Sequence, residues 1–127
     1  MKIILLLAGG AIGTLSRYLI SGISHHYYLG LFPLGTLIVN ISGSFLIGLL
    51  WGIFETTNIP SLTRTFLFIG VLGGFTTFSS YTLESIGLFR DGETKLALLN
   101  IMANNGLGLL MVIAGLFAAK GVLNAIN

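Results

Sequence analysis

From Gly70 to Glu84 the chain reads Gly-Val-Leu-Gly-Gly-Phe-Thr-Thr-Phe-Ser-Ser-Tyr-Thr-Leu-Glu. This stretch holds a glycine pair, Gly73-Gly74, the hydroxyls of Thr76, Thr77, Ser79, Ser80 and Thr82, two rings three residues apart, Phe78 and Tyr81, and a carboxylate, Glu84. It lies inside an apolar segment that runs from near Leu62 to Phe89. Lipid offers no hydrogen-bond partners, so a backbone loosened by paired glycines and crowded with hydroxyls belongs where protein buries it or water reaches it. Interrupted membrane helices free carbonyl and N–H groups at mid-depth, where ions and substrates bind. Carbonyls released near Gly73 and Thr76 are hard oxygen donors and, doubled by a two-fold axis, would suit a small dehydrated cation. An aromatic ring has a positive edge, so Phe78 and Tyr81 either line an anion path or pack against lipid or a neighbouring helix.

Other polar groups fall on stripes, since residues three and four apart are neighbours on a helix. Thr36, Asn40 and Ser44 form one stripe, Asn100, Asn104 and Gly108 a second, and Gly10, Thr14, Arg17 and Ser21 a third. Small and polar residues glue membrane helices together, and the pairs Gly9/Gly13, Gly48/Gly52 and Gly70/Gly74 are read as packing contacts. Asn40 and Asn104 are either such glue or part of a hydrated line, because a buried amide is costly unless paired. Arg17, near the end of the first apolar segment, either snorkels to the surface or pairs with Glu84. The alternative for Glu84 is to meet ions at a vestibule. Neither charge lies at an obvious midplane, which disfavours a proton relay or a carrier built on a central carboxylate. A small multidrug-type exporter, which needs an acid in its first helix, is disfavoured because Ile3–Ile23 contains none. His25-His26 has no acid or cysteine nearby and reads as a solvated loop pair. No Ser/His/Asp set, paired carboxylates or phosphate loop is present, so no enzyme is expected.

The elements that must position these groups are apolar helices. Of 127 residues, 54% are hydrophobic and 8% charged, against roughly 25% charged in soluble domains. The 18 glycines beside 2 prolines favour closely packed helices, and the alternation of barrel strands is absent. The expected fold is an all-α membrane protein, one domain over residues 1–127, multi-pass in a cell membrane with lipid around it. A spanning helix needs about 20 apolar residues, and four segments qualify: Ile3–Ile23, Leu31–Phe54, Thr65–Phe89, broken near its middle, and Leu96–Ile126. The expected connections are His25–Tyr28, Glu55–Ser61 and Arg90–Lys95. Lys2 before Ile3–Ala8 resembles a signal peptide, but the small-residue cleavage site is missing. There is no cysteine, and a net charge of +2 on so few charged residues points to no nucleic acid. Lys2, Arg64 and Lys120 fall on one side of the four-span arrangement, with Arg90, Lys95 and an outward Arg17 on the other. Lys/Arg bias sets orientation, and here it nearly cancels. Either a partner fixes the topology, or the chain inserts both ways and pairs antiparallel.

Three motifs in order carry a resemblance to the Fluc (CrcB) family of fluoride channels across essentially the whole chain. They are Gly9-Gly-Ala-Ile-Gly-Thr-Leu-Ser-Arg17, then Gly35-Thr-Leu-Ile-Val-Asn40 with Gly43 and Phe45, then Gly70-x-x-Gly-Gly-Phe-Thr-Thr-Phe-Ser-Ser-Tyr81 with Glu84. The resemblance implies a dual-topology antiparallel homodimer with two narrow pores passing fluoride passively outward, which relieves fluoride toxicity. It also implies a structural sodium ion on the dimer axis, held by backbone carbonyls at Gly73 and Thr76. The family's pore asparagine falls on Asn40, its pore phenylalanines on Phe78 and Tyr81, and its polar track on Thr77, Ser79, Ser80 and Thr82. The sequence departs from the family at Tyr81, where a second phenylalanine is usual, and at Asn104, near a frequent fourth-helix tyrosine. Some members work as pairs of related chains, so a non-conducting or one-pore subunit of a heterodimeric channel is the alternative.

Overall fold

A computed structural model of the chain describes residues 1–126; residue 127, the end of the expected domain, lies outside the described residues. The described residues contain helices and no strand. Helix α1 spans Lys2–Tyr27, α2 Leu34–Thr56, and α6 Thr94–Ile126. Between α2 and α6 the chain forms a short α3 (Ser61–Arg64), a π-helical segment (Thr65–Leu72), a single turn α4 (Gly73–Phe75) and α5 (Phe78–Arg90). Counting Ser61–Arg90 as one segment, four helices are long and apolar enough to cross a membrane. At 1.5 Å per residue, the 33 residues of α6 reach about 50 Å, well beyond a hydrocarbon core of about 30 Å.

The second and third connections are shorter than the sequence implies, and the first is displaced: it runs from Tyr28 to Pro33, so that Leu31–Pro33, expected in the second span, precede α2. His25 and His26 do not lie in a loop: they form the last turn of α1. Between Gly22 and Gly30 no glycine or proline interrupts the chain, and imidazoles are tolerated beside the partial negative charge of a helix C-terminus. Glu55 stays in α2, where Trp51 Nε1 donates to its Oε1 at 2.7 Å. Proline starts the next two elements, Pro33 preceding α2 and Pro60 preceding α3, where its missing N–H costs no helical bond. Arg90 ends α5 and Thr94 begins α6. Gly92, at φ 81°, makes the turn between them. There the Gly92 and Glu93 N–H groups donate to the Phe89 and Leu88 carbonyls at 3.2 and 2.8 Å, closing the open end of α5 as C-terminal glycine motifs do.

Packing follows two glycine seams. The most extensive pairing is α2 with α6, and α1 lies along the π-helical segment and α4. A Cβ at Gly13 would collide with the Val71 carbonyl, and one at Gly48 with the Val112 carbonyl. The glycines therefore set how closely these backbones approach, which is the packing expected of small residues in membrane helices. Trp51 and Phe54 of α2 meet Phe68 edge to face at 5.8 and 5.7 Å, fixing the π-helical segment against α2. Helix α5 packs on α6.

Candidate functional site

Near the middle of Ser61–Arg90, Thr76 (φ −76°, ψ 156°) and Thr77 (φ −147°, ψ 117°) are extended. The Thr76 N–H closes the last turn of α4 on the Leu72 carbonyl at 3.0 Å. The Thr77 N–H donates instead to Asn40 Oδ1 at 2.9 Å, which leaves the Gly73 carbonyl without its helical donor. Asn40 Nδ2 returns a bond to the Thr77 carbonyl at 3.0 Å. The side-chain amide thus pairs with the Thr77 peptide group as a second backbone would in an antiparallel ladder. That satisfies both polar groups of a residue with no helical partner, as a buried backbone requires.

The second Asn40 proton goes to Asn104 Oδ1 at 2.8 Å. Asn104 Nδ2 donates to the Asn100 carbonyl at 3.0 Å and to Asn100 Oδ1 at 2.8 Å. Asn100, which is fully buried, donates to Ser85 Oγ at 2.9 Å, and Ser85 Oγ donates to the Tyr81 carbonyl at 2.8 Å. A chain of carboxamides therefore joins α2, α6 and α5 across the interruption. Both N–H bonds of Asn40 are used within it.

Thr77 also precedes α5 as its N-cap. Its Oγ1 accepts from the Ser80 N–H at 3.2 Å and donates to Ser80 Oγ at 3.0 Å, the usual way a threonine caps a helix. Two half-helices therefore meet at Thr76–Thr77. Carbonyls end the first, and N–H groups with their partial positive charge begin the second. Beside this junction lies a groove of about 350 Å³. Asn40, Gly73, Thr76, Thr77, Phe78, Tyr81, Asn104 and Asn105 are among the residues that line it. The Phe78 and Tyr81 rings meet edge to face at 5.2 Å.

Not every sequence candidate reaches the groove. Ser79 is exposed, and the Thr82 hydroxyl turns back onto the Phe78 and Ser79 carbonyls at 3.1 and 3.0 Å. Ser79, Ser80 and Thr82 do not line it. No hydrogen bond joins Glu84 to Arg17 among the described residues. Glu84 Oε1 accepts from Thr36 Oγ1 at 2.6 Å, and its buried Oε2 has no partner. Glu84 lines a separate pocket of about 140 Å³ with Ser21, Ser24, His25, Tyr28 and Thr36. Three residues that take part were not singled out as site members from the sequence. Asn100 had a signal in its four-residue spacing from Asn104. Ser85 and Asn105 had none, because each matters only through a partner on another helix.

The family model described as CrcB-like protein, Camphor Resistance (CrcB), matches residues 4–116. A curated relative in Parabacteroides distasonis, named fluoride-specific ion channel FluC, is 48% identical over all of this chain and 99% of its own length. Relatives of the same name in Desulfotalea psychrophila and Pyrococcus abyssi are 43% and 42% identical. They align over 92% of this chain and over 91% and 94% of their own lengths. The family match covers the interruption, the asparagine that clamps it and most of α6, and likeness to the Parabacteroides distasonis protein runs from end to end; the chain is a multi-pass membrane protein and belongs to the CrcB-like family.

Proposed function

We infer that this chain is a fluoride-specific ion channel, a conduit for passive export rather than an enzyme. The observation that carries the reading is the groove at Thr76–Thr77, lined by amide side chains, hydroxyls and aromatic rings, in a chain 48% identical to a curated fluoride channel. Fluoride is small and strongly hydrated, so only a dense set of donors can replace its water. The edges of Phe78 and Tyr81 and the N-terminal end of α5 supply such donors, joined by the Asn104 amide and the Thr77 hydroxyl once these leave their partners Asn100 and Ser80. Asn40 holds the junction open by clamping Thr77 and meets the ion once one of its protons is released. Ser79, Ser80 and Thr82 continue the polar face of α5 outward. Arg17 and Glu84 stand at the vestibule.

The working unit in this reading is an antiparallel, dual-topology homodimer in lipid, with the third span of each chain broken at Thr76–Thr77 and two pores per dimer. Two features support it. The near balance of Lys and Arg on the two sides gives little orientation, and Phe78 is 73% exposed at the mouth of a groove that a second copy would cover. The Gly73 carbonyl, freed of its helical donor, and the carbonyl of extended Thr76 fit a hard cation, and sodium would be held there. When bound it would supply positive charge that offsets the carbonyl dipoles of Gly73 and Thr76.

Efflux from liposomes containing only this chain tests the reading, with chloride as control. Fast fluoride release with negligible chloride release is expected. No release from folded, reconstituted protein would sink the homodimeric channel and direct the search to a related partner chain, the heterodimer alternative.

A further inference from the structure

The Tyr81 phenol carries a feature that the carboxamide chain does not use. Tyr81 is buried, 8% exposed, and both Tyr81 and Asn105 line the groove. Asn105 Nδ2 donates to Tyr81 Oη at 3.0 Å and to the Ile101 carbonyl, one turn back on α6, at 2.7 Å. Both Asn105 N–H bonds are thereby used, and the amide is held by its own helix. The phenol oxygen accepts this bond, so its own proton must point elsewhere, and no acceptor for it exists among the described residues. A hydroxyl that accepts one bond can still donate its own proton, and the groove that Tyr81 lines is open space beside it.

We propose that Asn105 and Tyr81 form a donor pair, with Asn105 as the positioning residue that turns the Tyr81 O–H into the groove to hydrogen-bond a small anion. The pair rests on the fluoride-channel reading for the identity of that anion and goes beyond it in assigning a residue, Asn105, and an atom, the phenol proton. A phenol is a stronger donor than a ring edge, and a hydrogen bond to an ion is stronger than one between neutral groups. Tyr81 therefore raises the occupancy of the groove at low fluoride, while the ring beneath still serves as the wall. The expected signature is a change in apparent affinity with the maximal rate kept.

The experiment is a double-mutant cycle on the full chain in liposomes, with Tyr81→Phe, Asn105→Leu and both together. Fluoride efflux is measured over a range of internal fluoride. Each single variant should raise the half-saturating fluoride concentration about tenfold, the scale of one hydrogen bond to a charged group. The double variant should be no worse than either single, since both remove the same interaction. Asn105→Gln should recover part of the loss. Additive effects, or an unchanged half-saturation in Tyr81→Phe, would overturn the pair. A second readout does not depend on conduction: the ultraviolet difference spectrum of detergent-purified protein on adding sodium fluoride, with sodium chloride as control. A fluoride-induced shift of the tyrosine band that disappears in Tyr81→Phe and weakens in Asn105→Leu supports the pair even if the chain alone does not conduct. No such shift in the folded wild-type protein overturns it. Failure of the channel reading and failure of the donor pair thus give different results.

Discussion

Two regions of the molecule, one glycine seam and the polar junction, hold helices together by opposite means. Along α1 and the π-helical segment, contact is made by removing side chains: Gly9 and Gly70 approach so closely that a Cβ on either would meet the other's Cα at 3.0 Å. Around Thr76–Thr77, contact is made by adding polar side chains, which take over bonds that the interrupted backbone cannot make for itself. The first seam has no chemistry beyond dispersion and close approach. The second leaves a groove and a set of donors. The glycine seam is a fixed wall, and the amide seam is the working surface in the proposed channel, so substitutions in the two should fail differently.

The largest effect is expected at Gly13→Val. Its Cβ would strike the Val71 carbonyl and the Phe75 N–H, backbone atoms with no rotamer to yield, and overpacking of this kind costs about 3 kcal/mol or more. Loss of the monodisperse peak in size-exclusion chromatography should accompany loss of flux. Asn40→Leu comes next. It leaves the Thr77 N–H and carbonyl unpaired, a penalty of roughly 3 kcal/mol for two buried groups. Fluoride release should stop, with a lowered thermal midpoint but the dimer retained on crosslinking. A dimer that falls apart would place Asn40 with the packing residues instead. Phe78→Ala should sharpen the contrast further, because an exposed ring contributes little to folding of the single chain. Its midpoint should barely move while fluoride efflux falls at least tenfold, and unchanged efflux would remove Phe78 from the ion path. The smallest effect is expected at Gly10→Ala. Gly10 neighbours the seam yet has nothing within 4 Å of its would-be Cβ, so stability should hold or rise by about 0.5 kcal/mol. A collapse there would show that the seam is wider than its close contacts.

Much of this arrangement was readable in the residues, because membrane helices announce themselves by length and composition. The four apolar segments, the glycine packing pairs and the four-residue spacing of Asn100 and Asn104 all follow from one-dimensional periodicity. Helix ends were harder. The sequence treats His25-His26 and Glu55 as connections, whereas the chain keeps them helical because nothing in those stretches stops a helix before Gly30 or Pro60. The pairing of Glu84 with Thr36 rather than with Arg17 was not readable, since it depends on which faces of α2 and α5 meet. The π-helical form of Thr65–Leu72 left no mark in the sequence either. Its residues, Thr65 aside, are plain apolar ones, and the segment packs along α1.

The carboxamide chain also bears on the order of synthesis. Asn40 emerges from the ribosome 37 residues before its partner Thr77 and 64 before Asn104, and Asn104 and Asn100 lie on the last helix. Until α6 is inserted, Asn40 has one unmatched proton, and the extended residues are clamped from one side only. The junction is therefore completed last, by the final segment made. A chain cut short before α6 would enter the membrane with an unfinished, polar and exposed interruption, the kind of defect that quality-control proteases recognise.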